Sequence, residues 1–379
     1  MDKKTSHIYF DNAAAAMPDS NVLSFFSNAA ADNFANQEAT HQLAYDVRQK
    51  LLNAAKILSK TLTGHDDHHV FWSNSGTDVF NTLSSVKQFS RGNIVTTELE
   101  HPALLAALKR SGAELRLAKT ENGLISLASL TELLDEKTVL MAVHHVQSET
   151  GIIQPLAEIG RIVKENSPQA LFMSDTIQSA GKLPLPWQEA QLDIIPVSGH
   201  KLGAPGGAAL VIRKYLTELN ACLKSCRSEQ YLTGRPEPAQ MLTLAYAVEI
   251  AGKQMQASAA KAADIKKHIR EELEKISLRG GKKIIFTSPP ENSSPYILHF
   301  LIPGYQGAVL ARMLSEQNIY FSSGSACQAE SNKPSPALTA MGYGKSDAYS
   351  GIRLSFWQNN TLDQAKLFVD AFKQALKDY

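Results

Sequence analysis

Between residues 70 and 213 the chain alternates short apolar, β-rich runs with longer stretches of helical character. Val70-Phe71-Trp72, Asn93 to Thr96, Val139 to Val143, Ala170 to Met173, Asp193 to Val197 and Ala208 to Ile212 read as strands. Strands alternating with helices predict an α/β layer around a mainly parallel sheet. In such a sheet ligands gather beyond the carboxyl ends of the strands, so the residues just after each run are the first candidates for chemistry. From Glu237 to Ile276 few breakers interrupt the sequence, which predicts one long helix leading out of this layer. Beyond it Lys283 to Phe286, Tyr296 to Phe300 and Ile352 to Phe356 predict strands, with helices near Gln306 to Glu316 and Leu362 to Leu376. The expected organisation is a large α/β domain over residues 12–255 and a smaller α+β domain over 256–379, on which residues 1–11 can pack.

Composition narrows the partner more than the fold. With 379 residues the chain can bury two cores, and its formal charge of +1, with scattered lysines and arginines, gives no footprint for nucleic acid or an anionic membrane. A small molecule is the expected ligand. No stretch approaches the ~20 apolar residues of a membrane span, and three cysteines cannot build a disulfide framework, so the cytoplasm is the expected compartment. No metal is expected. Gly64-His65-Asp66-Asp67-His68-His69 lies in a turn without fixed ligand spacing, and Cys222 and Cys226 lack a second pair.

Candidate chemistry recurs at the strand ends. The run Asp193 to Val197 delivers Lys201 into a glycine-rich turn, Leu202-Gly203-Ala204-Pro205-Gly206-Gly207, where desolvation would free its amine as a Schiff-base nucleophile. After Met173, Asp175 and Gln178 share a turn and suit a pyridine ring, with the carboxylate on the ring nitrogen and the amide on the phenolic oxygen. Aspartate is also a common helix cap there. Ser73-Asn74-Ser75-Gly76-Thr77-Asp78 opens a helix whose N–H groups can face a phosphate. His101, after Thr96, can stack on a ring or move a proton. His144 and His145 end a strand on opposite faces, so at most one faces a common ligand. Cys327 sits among serines, glycine and alanine, followed by Gln328 to Asn332. So polar a loop makes its thiol a better nucleophile than a packing residue.

Taken together, Lys201, Asp175, Gln178, His101 and the Ser-Gly-Thr turn resemble those of the cysteine desulfurases of the class V aminotransferase superfamily, fold-type I pyridoxal 5'-phosphate enzymes. The likeness runs from Tyr9-Phe10-Asp11-Asn12-Ala13-Ala14 to Ser350-Gly351-Ile352-Arg353-Leu354-Ser355. Its most specific piece, Ser322-Ser323-Gly324-Ser325-Ala326-Cys327 with Lys333 to Leu338 downstream, resembles the group's long catalytic-cysteine loop. The resemblance implies a mainly parallel seven-stranded sheet and a homodimer. It implies that Lys201 carries the cofactor, His101 stacks on its ring, and Asp175 and Gln178 hold the ring nitrogen and phenolic oxygen. Gly76, Thr77, Ser198 and His200 would hold the phosphate, and Arg353 the substrate carboxylate. The reaction it implies takes L-cysteine to L-alanine and leaves sulfur on Cys327 as a persulfide for an acceptor protein.

The sequence departs from that pattern in places. Asp78 puts negative charge beside the phosphate turn. Gln147 and Ser148 stand where the family commonly has two asparagines, leaving Ser148 as the substrate contact. Arg235 falls where many members reach the neighbouring subunit's phosphate with a threonine. The chain also stops soon after its last helix, without the tail that housekeeping members use to dock an iron–sulfur scaffold. Selenocysteine lyase or another class V activity therefore stays open as an alternative, as does a non-catalytic relative acting as a binding protein.

Overall fold

The computed structural model describes residues 7–219, 221–223, 237–323 and 334–379. In chain order the first ten strands are β1 (Ile8–Tyr9), β2 (His69–Ser73), β3 (Asn93–Thr97), β4 (Glu114–Ala118), β5 and β6 (the hairpin Thr120–Glu121 and Leu124–Ile125), β7 (Thr138–His144), β8 (Leu171–Asp175), β9 (Ile194–Ser198) and β10 (Ala208–Ile212). Seven of them form one sheet in the order β2-β10-β9-β8-β7-β3-β4. Only β10 runs antiparallel to its neighbours. Alternate residues of each central strand feed two cores. Val95, Met141, Phe172 and Ile195 enter the larger core, while Ile94, Leu140, Met173 and Ile194 enter the other. Burial on both faces is why these strands read as continuous apolar runs.

The remaining strands are β11 (Ile285–Phe286), β12 (Ile297–Leu301), β13 (Ile319–Tyr320), β14 (Ser322–Ser323) and β15 (Gly351–Ser355). Four make an antiparallel sheet in the order β11-β12-β15-β14, backed by the helices Met255–Glu274 and Leu362–Asp378. The amino-terminal segment stitches the two sheets together. β1 pairs with β13, and Ala13 N–H donates to Ser355 Oγ at 2.8 Å. Asn12 Nδ2 donates to Ser355 O at 2.9 Å, and Ala16 N–H to His200 O at 2.8 Å.

Three expectations need correction. The single helix from Glu237 to Ile276 is two, Pro238–Lys253 and Met255–Glu274, separated at Gln254 (φ −100°, ψ 3°). The first is apolar on nearly every face and lies against the helices Ser20–Asp32 and Gln42–Thr63, while the second buries one stripe, Ala262, Ile265, Ile269 and Leu273, toward the small sheet. One straight helix cannot serve both surfaces. The strand expected from Lys283 is only Ile285–Phe286. Conversely β4 has no counterpart among the strands read from the sequence, because its sheet-edge position leaves Glu114 and Leu117 exposed and interrupts the apolar run.

Candidate active site

The carboxyl ends of β2, β3, β7, β8 and β9 open into one cavity of about 380 Å³. It is lined by Gly76, Thr77, His101, Ser148 and Asp175, and also by Gln178, Ser198, His200, Lys201 and Arg353. Every site residue expected from the sequence that falls within the described residues is therefore in one place. Cys327, Arg235 and Cys226 lie outside them; Cys222 is exposed and not a core residue.

The anion end is the amino terminus of the helix Gly76–Ser84. Ser75 caps it, its Oγ accepting Asp78 N–H at 3.2 Å. Asp78 does not line the cavity, so the charge expected beside a phosphate stands outside it. Thr77 and the orphan N–H groups of the first turn remain to receive an anion.

The lysine end follows β9. Gly199 makes that turn possible, since a Cβ there would lie 2.2 Å from Gly206 O. Lys201 Nζ donates to Ala14 O at 2.6 Å. β8 and β9 pair only at Met173 and Ile194. Pro196 has no N–H to continue the ladder, and Thr176 Oγ1 donates instead to Pro196 O at 2.7 Å. Asp175 and Gln178, at the end of β8, and Ser198, His200 and Lys201, at the end of β9, line the cavity. Asp175 closes its floor, one oxygen accepting Ile177 N–H at 3.0 Å. Burial pushes its carboxyl up to about 6, reinforced by Glu100 and opposed by the Ile177 bond, His144 and Lys201. Gln178 Nε2 donates to Ala13 O at 2.9 Å.

His101 stands at the cavity's exposed edge, where it caps the helix Pro102–Arg110 with its Nδ1 accepting Ala103 N–H at 3.2 Å. Desolvation lowers its pKa, the ammonium of Lys201 adds to this, and Glu100 opposes. The sequence reading missed Glu100. It is buried, accepts Thr97 Oγ1–H at 2.7 Å and His144 N–H at 2.8 Å, and faces His144 Nδ1 at 2.8 Å. His144 Nε2 meets Gln154 Nε2 at 3.1 Å, so the wall behind the cavity is a continuous polar chain. A glutamate three residues past a fully buried strand and beside His101 was the available signal.

Gln147 does not reach the cavity. Its side-chain oxygen takes the N–H groups of Glu149 at 2.6 Å and Thr150 at 2.7 Å, which staples the turn that presents Ser148. Arg353, on β15, donates from Nη1 to Ser148 O at 3.0 Å, and from Nη2 to Asp11 Oδ1 at 2.8 Å and Ser322 Oγ at 3.0 Å. It brings a guanidinium from the small sheet into the cavity of the large one.

A helix terminus for an anion, a buried carboxyl ready for a ring nitrogen and a lysine amine between them make a donor set that fits pyridoxal phosphate. Fold and site together define a pyridoxal phosphate-dependent enzyme. The aminotransferase class-V family matches residues 8–368, and the chain belongs to that family. A relative from Anaeromyxobacter sp. (strain Fw109-5), named Cysteine desulfurase IscS, is 30% identical over 369 residues, covering 94% of this chain and 89% of that protein. Cysteine desulfurase NifS of Azotobacter vinelandii is 25% identical over 365 residues, covering 94% and 89%. The solved structure of a NifS-like protein superposes with a TM-score of 0.85 over 99% of this chain and 100% of that one, at 23% identity.

Proposed function

We propose that this chain is a pyridoxal phosphate-dependent cysteine desulfurase that converts L-cysteine to L-alanine and passes the sulfur to an acceptor protein. The observation that carries the reading is Arg353 in the same cavity as Lys201 and Asp175, a carboxylate receptor beside a cofactor site. The relatives' names supply the reaction, and the Cys327 loop supplies its nucleophile.

Lys201 holds the cofactor, whose ring, when bound, stabilises negative charge at the substrate's Cα. Asp175 would hold the ring nitrogen and favour its protonated form, Gln178 would serve the phenolic oxygen, and His101 would pack on the ring. Gly76, Thr77, Ser198 and His200 would hold the phosphate, and by the family resemblance Arg235 of a second copy would add a further contact. Arg353 and Ser148 orient the amino acid, and Lys201 carries the Cα proton. The Cys327 thiolate then bonds to the substrate sulfur as the sulfur–Cβ bond breaks. That electron pair stays with Cβ, which takes a proton to become the methyl of L-alanine, and Cys327 is left as a persulfide. A homodimer belongs to the same proposal, as the family resemblance implies, and the scarcity of cysteines supports the cytoplasm.

Turnover of L-cysteine with mass analysis of the Cys327 peptide tests this. The wild type should show one added sulfur on that peptide, and Cys327→Ala should abolish both the persulfide and alanine release. Full alanine release by the variant would replace this reading with a lyase or another elimination.

A further inference from the structure

Next to Arg353 lie two buried polar atoms that face one another without a hydrogen-bond partner, Glu149 Oε1 and His299 Nε2, 3.6 Å apart. At that distance they make no hydrogen bond, and a shift of about half an ångström would bring them within reach of one. Both are tied to the arginine by the backbone. His299 is the direct cross-strand partner of Arg353, so the two side chains share one face of the small sheet. Glu149 follows Ser148, whose carbonyl receives the arginine's Nη1. Arg353 Nε is likewise buried without a partner.

The surroundings hold this pair in place. His299 is fully buried, and Gly351 on β15 makes room for its ring, since a Cβ there would lie 3.1 Å from Nε2. Thr287 Oγ1 stands 2.9 Å from His299 Nδ1 and 3.4 Å from His299 O, so it can give its proton to the ring or accept the ring's and donate to the carbonyl. Glu149 Oε2 accepts Ser335 Oγ–H at 2.6 Å, and Ser335 caps the helix Pro336–Ala340. Two arrangements thus satisfy both Glu149 and His299 once they close. An ionised Glu149 accepts from an imidazole protonated at Nε2, with Thr287 donating to Nδ1. A protonated Glu149 donates to Nε2, with Nδ1–H donating to Thr287. They differ by one proton and one tautomer.

We propose that Glu149 and His299 are positioning residues for the substrate carboxylate, a buried acid–imidazole pair that takes up one proton as that carboxylate docks on Arg353. The guanidinium is already balanced by Asp11 at 2.8 Å, so an arriving carboxylate adds a second anion, and an ionised Glu149 would add a third. Neutralising Glu149 removes the excess. Burial pushes the Glu149 carboxyl up to about 7, against Ser335 and Arg353, and pushes His299 down to about 3, with Arg353 adding to the fall. The proton therefore belongs to Glu149. Arg353 from β15, His299 from β12 and, across the arginine, Asp11 are the charged or titratable groups facing it among the described residues.

The inference rests on Arg353 as the carboxylate receptor, and the experiment separates the two. In the holoenzyme, KM for L-cysteine should rise about tenfold per unit of pH above the Glu149 transition, with a smaller change in kcat. Glu149→Gln keeps the donor to His299 Nε2 and should hold KM near its low-pH value throughout, so the ratio of variant to wild-type KM falls with pH. Independently, 15N spectra of wild-type His299 should change from the Nε2–H to the Nδ1–H tautomer as pH falls through about 7. A flat KM ratio, or a His299 tautomer that does not change, overturns the proposal even where the variant fails to fold. Arg353→Lys leaving KM unmoved would instead overturn the carboxylate reading beneath it.

Discussion

Asp175 shows how a single side chain is held against its own preference. Without a ring nitrogen to meet, its buried carboxyl sits at about 6 against an ordinary 3.8, so the folded chain binds that proton more tightly than the unfolded one. The stability it contributes is full below the ordinary value and is lost as pH rises through about 6, which leaves the ionised form destabilising at neutral pH. Asp175→Asn should therefore raise the unfolding free energy of the cofactor-free protein at pH 7.5, read from urea titration, by roughly 1–3 kcal/mol, while weakening cofactor retention. A loss of stability in that variant would show that the carboxylate is internally compensated. Lys201, Asp175 and His101 were legible because each follows or ends an apolar run, whereas Arg353, in the middle of β15, was legible only through the family resemblance. Glu100, Glu149 and His299 were not, because their work is done on other side chains. A histidine in the middle of Tyr296-Ile297-Leu298-His299-Phe300 was nonetheless a visible anomaly.

Among the elements, the helix Gly76–Ser84 joins stability to binding. Its only side-chain cap is Ser75, half-buried at the mouth of the cavity. Ser75→Ala should lower stability by about 1 kcal/mol, read from thermal unfolding. It should also weaken phosphate retention, because a frayed first turn no longer aims its N–H groups together. Unchanged affinity for free phosphate would mean that the anion is held by Ser198 and His200 instead. The central strands were read within a residue or two of their observed ends, since burial on both faces writes itself as an unbroken apolar run. Edge strand β4 and the break at Gln254 were hidden for the opposite reason. An edge carries charges that blur the pattern, and the one cue to the break, Gly252 two residues before Gln254, is a lone glycine that an uninterrupted helix also tolerates.

For the whole molecule, the seam between the two sheets carries a buried cation. Lys182, 2% exposed, belongs to the turn after β8, and its ammonium lies 4.7 Å from the ring centre of Trp357 and 5.9 Å from that of Tyr296, both contributed from beside the small sheet. The aromatic faces favour the charged form, but burial, helped by Lys201, brings its pKa down from 10.5 to about 7. The unfolded chain keeps that proton up to 10.5, so stability is lowest at and below pH 7 and climbs as pH rises between the two values. Lys182→Met should flatten this climb and raise the denaturation midpoint at pH 7, an effect of roughly 3–5 kcal/mol at most. Equal slopes in the two proteins would mean that the ammonium keeps water in the folded state.

The amino-terminal stitch also sets a timetable. Ala13 and Ala14 line the cavity and take the Gln178 and Lys201 side chains, yet the segment is anchored by β13, Ser355 and Asn360 at the far end of the chain. On a ribosome, Lys201 emerges while roughly 150 residues up to Arg353 are still unmade, about ten seconds or more of synthesis. During that interval the proposed cofactor lysine lacks the walls of its cavity. Cofactor loading on Lys201 is therefore expected only once the carboxyl-terminal anchors of the amino-terminal segment are made.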